Sequence, residues 1–178
     1  MQTTAGARAR SWLRSSSLLV AVAVLTGCGH SASSHRLRAG DAAPGLAADR
    51  GHPILVSFLD TQAQPSSAGN PSRSQVVFVK SMNTQNRRHG LRTVIVDGSR
   101  ASRDSLVNYT YDWSLPPSIA VVGDGDGSLE RAYGVEHLPV TFLIDRRGIV
   151  VRRWDRLALA AQLDFAIRRL TGRTPFSP

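Results

Sequence analysis

Residues 132–148 read AYGVEHLPVTFLIDRRG, a proline followed by an apolar run and a charged turn that ends in glycine. Val140–Ile144 is a short apolar run rich in branched and aromatic side chains, which predicts a strand. Asp145-Arg146-Arg147-Gly148 is a hairpin-type connection with glycine at its end, and Ile149–Trp154 supplies a second strand, so the pair is expected to be antiparallel. Pro139 stands at the head of this apolar pattern, where its missing N–H removes a ladder donor. A special turn role fits that cost, and an ordinary edge-strand proline is the plainer alternative.

After the hairpin, Leu159, Leu163, Ala166, Ile167 and Leu170 recur at helical spacing, with Gly172 just past the end, which predicts an amphipathic closing helix. Before the stretch, Pro53–Leu59 predicts a strand buried on both faces. Ser72–His89 carries a helical stripe of Val76, Val79 and Met82, with Val77 beside it, and Gly90 follows as the helix stop. Arg92–Asp97 predicts a strand, Ser102–Tyr111 a weaker helix, Ser118–Val122 a short strand and Ser128–Tyr133 about one and a half helical turns. This order gives an α/β chain in which a parallel half joins an antiparallel half in one central mixed sheet, with helices on both faces.

The chain has 178 residues, 42% of them apolar and 20% charged, which is ordinary globular usage and excludes a disordered, collagen-like or coiled-coil protein. Cys28 is its only cysteine, so an internal disulfide, a thiolate zinc cluster and a two-cysteine redox pair within one chain are all excluded. Residues 1–27 hold no acid, carry Arg8, Arg10 and Arg14, and run apolar from Leu18 to Leu25, the pattern of a secretory signal. Eight apolar residues span roughly 12 Å as a helix, short of the ~30 Å hydrocarbon core. Leu25-Thr26-Gly27-Cys28 resembles the lipobox of bacterial lipoproteins, which implies cleavage before Cys28 and lipid on its sulfur; a small buried cysteine is the alternative. The expected organisation is a signal peptide over 1–27, a lipid-anchored flexible stalk over 28–39, a folded domain over 40–172 and a tail over 173–178. The expected location is the bacterial cell envelope, outside the cytoplasm.

From Gly40 onward the chain resembles the extracytoplasmic thioredoxin-fold proteins of the TlpA-like/redoxin group, related to the AhpC/TSA proteins. Gly40-Asp41-Ala42-Ala43-Pro44 resembles that group's opening segment, and residues 132–148 are similar to its YGV, PTxFLID and DxxG signature. The resemblance implies a thioredoxin-like fold, with Pro139 in the place of the family's cis-proline. The family's catalytic segment, a Cys-x-x-Cys after the first strand, aligns with Phe58–Pro71. Phe58, Thr61, Pro65, Ala68 and Pro71 match in register, but Ala63, Gln64, Pro65 and Ser66 occupy the motif, with Ala63 at the attacking and Ser66 at the resolving position. Thiol–disulfide exchange needs a thiolate, which neither alanine nor a neutral serine supplies. The resemblance therefore implies a degenerate active site with no catalytic residue of its own. It leaves a peptide groove around His137, Leu138 and Pro139 that an extracytoplasmic protein or peptide could occupy. The competing reading is an enzyme or accessory related to the thiol-disulfide oxidoreductases that acts with a redox partner.

Ser66, Ser67, His137 and Asp60 could converge as nucleophile and base, but no elbow or oxyanion motif accompanies them, and serines at a helix start are ordinarily caps. Asp124-Gly125-Asp126-Gly127-Ser128 suggests calcium, yet the sixth and twelfth loop positions hold Leu129 and Val135, so a turn and helix cap is the expected role. No metal or cofactor is expected. The net charge of +9 concentrates late, in Arg146, Arg147, Arg152, Arg153, Arg156, Arg168, Arg169 and Arg173. Such a face could contact an anionic envelope surface or be merely solvated; nucleic acid is not expected for an exported chain.

Overall fold

The computed structural model describes residues 36–45, 51–63 and 69–172. The signal peptide, Cys28, the motif positions Gln64, Pro65 and Ser66, and the tail over 173–178 lie outside the described residues. Contacts gather the described residues into one compact unit.

The elements are β1 (Ile54–Leu59), α1 (Pro71–Asn86), β2 (Arg92–Asp97), α2 (Arg103–Asp112), β3 (Ile119–Gly123), α3 (Ser128–Tyr133), β4 (Val140–Ile144), β5 (Val150–Trp154) and α4 (Ala160–Thr171). They form one five-stranded sheet in the order β3-β2-β1-β4-β5. β1 runs parallel to β2, and β2 to β3, while β4 is antiparallel to both β1 and β5. The expected mixed sheet is thus present.

All six residues of β1 are buried, and their alternation divides the core. Leu55 and Leu59 face a cluster with Val76, Val79 and Met82 of α1, Tyr109 of α2, and Leu163 and Ile167 of α4. Ile54, Val56 and Phe58 face a second cluster with Tyr133 of α3, Phe142 and Val150. Phe58, Tyr133 and Phe142 pack with ring centroids 5.0–5.9 Å apart in tilted and edge-on geometry, each buried ring contributing about 1.5–3 kcal/mol. The odd member is Ser57, whose Oγ lies 2.9 Å from Thr141 Oγ1 across the β1–β4 ladder.

Asn70 caps α1 by accepting from the Ser72 amide at 2.9 Å, and Pro71 occupies a first-turn position where no N–H partner is needed. The helix expected to reach His89 ends at Asn86, with Arg87–His89 tightened into a 3-10 turn before Gly90. Val77, placed beside the inner stripe, is 52% exposed. Gly148 closes the β4–β5 turn at φ 84, a conformation glycine adopts without steric cost, and its amide donates to the Asp145 carbonyl at 3.0 Å.

The stalk boundary at residue 39 needs correction. Leu37 is buried in the second cluster, Arg36 pairs with Asp155, and Gly40 and Asp41 exchange backbone hydrogen bonds with Val150. Ala42 forms an antiparallel bridge with Ile149. An apolar side chain and a free strand edge capture this segment, which composition alone marks as polar and aperiodic.

Candidate functional site

In open α/β sheets the loops after the carboxyl ends of parallel strands form the natural binding crevice. Here those loops follow β1 and β2. Asp60 leaves β1 and is held from three sides: its amide donates to Ser72 Oγ at 3.1 Å, Asn70 Nδ2 donates to Oδ2 at 3.3 Å, and the Gln62 amide donates to Oδ1 at 3.0 Å. Thr61 Oγ1 donates to Asp97 Oδ1 at 2.7 Å, tying the β1 loop to the end of β2. Gln62 Nε2 donates to the Ser99 carbonyl at 2.9 Å. Burial alone would push the Asp97 carboxyl up, but hydrogen bonds from Ser99, Thr61 and Ala101 outweigh it and hold the group below the usual carboxylate range.

The chain reaches β4 through Leu138–Pro139, whose peptide bond is cis. Because Phe58 is in register with Val140, this bond lies beside the loop that leaves β1. Together these parts enclose an open groove of about 610 Å³ lined by residues that include Asp60, Gly98, Arg100, Glu130, His137 and Leu138. Gly98 is its close point, since a Cβ there would stand 2.7 Å from both Glu130 Oε1 and Leu138 Cδ2. Burial, seconded by Asp124, pushes the Glu130 carboxyl above its ordinary range, and Arg100, 3.9 Å from Oε2, opposes this only in part.

The structure brings some expected residues together and separates others. His137 and Leu138 line the groove, and Pro139 is buried beneath them. Ala63 is buried at 6% exposure, its amide 3.4 Å from the Asp60 carbonyl, and it lines a different depression of about 250 Å³ with Gln62, Tyr109 and Trp113. Asp60 and His137 share the groove, yet Asp60 is occupied by the cap of α1, and His137 Nε2 bonds the Asp155 carbonyl. Asp124 spends its buried carboxylate on the Leu129 and Glu130 amides at 3.0 and 2.8 Å, the expected turn and cap of α3. Gly98, Arg100 and Glu130 are groove residues that the sequence did not single out. A glycine directly after a buried strand was the one available signal for Gly98; Arg100 and Glu130 offered none.

No protein-family model matches the chain, and no curated protein matches it either. Solved structures do. A protein assigned as the thiol:disulfide interchange protein DsbE from Chlorobium tepidum is 25% identical, with a TM-score of 0.64 over 76% of this chain and 99% of that one. The thioredoxin domain of a thiol-disulfide oxidoreductase from Bacteroides vulgatus is 15% identical, with a TM-score of 0.60 over 75% of this chain and 99% of that one. Peroxiredoxin Q from Xanthomonas campestris is 21% identical, with a TM-score of 0.56 over 72% of this chain and 84% of that one. The chain is a thioredoxin-fold protein. That fold agrees with the redoxin, TlpA-like resemblance, and the Chlorobium tepidum neighbour at 25% identity is itself assigned as a thiol:disulfide interchange protein.

Proposed function

We propose that this protein is an exported, lipid-anchored thioredoxin-fold module that carries no dithiol chemistry of its own and binds an extended segment of a protein partner beside Leu138–Pro139. The observation that carries this reading is the contrast between two places. Ala63, which the resemblance aligns with the family's attacking cysteine, is a buried methyl, whereas the groove lined by His137 and Leu138 is open, about 610 Å³ in volume, with hydrogen-bonding groups on its walls. Chemistry that needs a thiolate has no atom to run on, while recognition of an extended chain needs only shape and backbone partners.

Two measurements test this. Wild-type protein should leave insulin disulfides intact, and the Ala63→Cys/Ser66→Cys double variant should gain reductase activity if the site geometry is retained; reduction by the wild type overturns the proposal. A photo-reactive residue placed at exposed Glu136 should give discrete protein adducts in cells. Gly98→Val, which crowds Leu138 and Glu130, should abolish them. Adducts that persist unchanged in that variant would remove the groove from the account.

A further inference from the structure

The rim formed by β5 and α4 combines exposed apolar and cationic side chains. Phe165 is 59% exposed and Val151 42%, and they line one groove of about 310 Å³ with Ala166 and Leu170, flanked by Arg152 and Arg169. Phe165 and Arg169 are four residues apart on α4 and so share a face, with the guanidinium 5.7 Å from the ring centroid. Arg152 lies 5.2 Å over the Trp154 ring. The neighbouring carboxylates are already engaged, Asp155 by Arg36 and Arg153, and Asp164 by Arg168. Among the described residues neither Arg152 nor Arg169 forms an ion pair, so this rim offers net positive charge around an aromatic and aliphatic centre.

The chain's path adds a second observation. Residues 36–42 run along the free edge of β5, and Val151 and Arg152 also line the depression that holds Arg36, Leu37 and Arg38. The eight steps from Cys28 to Arg36 span at most about 29 Å when fully extended. On the lipid-anchored reading above, the chain enters the fold at the β5 edge, so the tether is attached on the side of the β5–α4 rim and not at the opposite edge at β3.

We infer that this rim docks on an anionic membrane surface, with Phe165 and Val151 at the headgroup boundary and Arg152 and Arg169 on lipid phosphates. Aromatic and aliphatic side chains with snorkelling arginines suit that boundary. A short tether supplies a high effective concentration, so weak surface contact is enough.

The test uses the mature chain, residues 28–178, with Cys28→Ala so that no lipid contributes. It should co-sediment with vesicles of phosphatidylglycerol and phosphatidylcholine, not with phosphatidylcholine alone, and should be released by 0.5 M salt. Arg152→Glu/Arg169→Glu should weaken binding by more than about 25-fold, at roughly fivefold for each cation lost. Phe165→Ser should weaken it while leaving the salt dependence in place. Three results overturn the inference: no binding by the parent chain, equal binding by the double arginine variant, or a concentration-dependent dimer that Phe165→Ser abolishes, which would assign the rim to a second copy. The mass of the N-terminal peptide of protein made in bacteria reads the lipid on Cys28 separately, so the anchor and the docking face fail independently.

Discussion

Asp97, buried at the end of β2, and Glu130, in the wall of the groove, respond to pH in opposite senses. Asp97 is fully buried and accepts from the Thr61 hydroxyl, the Ser99 amide and hydroxyl, and the Ala101 amide at 2.6–2.9 Å. With its carboxyl held below the ordinary range, the stability it contributes is complete above the unfolded value near pH ~3.9 and is lost as pH falls through the lower folded value. Glu130 is raised by burial first and by Asp124 second. Its favourable contribution is complete below the unfolded value near pH ~4.3 and is lost as pH rises through the folded one, so at neutral pH its charge costs stability. Thermal melts from pH 3 to 8 should therefore show Glu130→Gln more stable than wild type at pH 7, by on the order of 2 °C. That advantage should vanish below about pH 4, whereas wild type and variant should share the acid-side loss assigned to Asp97. An advantage that does not change with pH would mean that the gain comes from packing rather than charge.

At the scale of elements, the strands were legible because their message is simple. β1, β2 and β4 are buried runs of branched side chains, and a sheet buried on both faces has no other sequence form. α1 was legible only in half. Its inner face carries Val76, Val79 and Met82, but also Gln75, Asn83 and Asn86, all fully buried. Gln75 Oε1 accepts from the Ala158 amide at 2.7 Å, and Asn83 meets Thr93 and Ser118, partners 10 to 83 residues away that no local pattern announces. α3 depends on one residue. At six residues it is too short to persist alone, and Asp124, 2% exposed, satisfies its Leu129 and Glu130 amides. Asp124→Ala should cost about 2–3 kcal/mol in urea unfolding by stranding these donors, and hydrogen exchange should show the amides of residues 129 and 130 losing protection. Relief of the carboxylate repulsion on Glu130 offsets only part of that loss. An unchanged unfolding midpoint would show that α3 is held by Tyr133 and its ring partners instead.

For the molecule as a whole, charge counted along the chain says nothing about which arginines lie inside it. Arg153 belongs to the late basic cluster by position, yet its side chain is 7% exposed. It donates to the Tyr133 carbonyl at 3.0 Å, the Gly134 carbonyl at 2.8 Å and the Leu37 carbonyl at 3.3 Å, pairs with Asp155, and lies 5.0 Å from the Phe142 ring centroid. One planar cation thus ties the opening segment, the end of α3, β4 and β5 together, and fixes the loop that continues into His137, Leu138 and Pro139. Sequence could not reveal this, because the partners are carbonyls of segments 19 to 116 residues distant. Arg153→Met removes the charge and strands three buried carbonyls, and should cost about 3–5 kcal/mol in urea unfolding. Arg153→Lys should recover little of it, since a point charge cannot span the fork of acceptors that a guanidinium reaches. Arg152→Met, one residue away and exposed, should change stability by less than about 0.5 kcal/mol. Equal costs at 152 and 153 would deny the hub; a large cost at 153 alone, with faster amide exchange at both Leu37 and residues 134–138, would establish that the groove loop and the N-terminal segment are held by the same side chain.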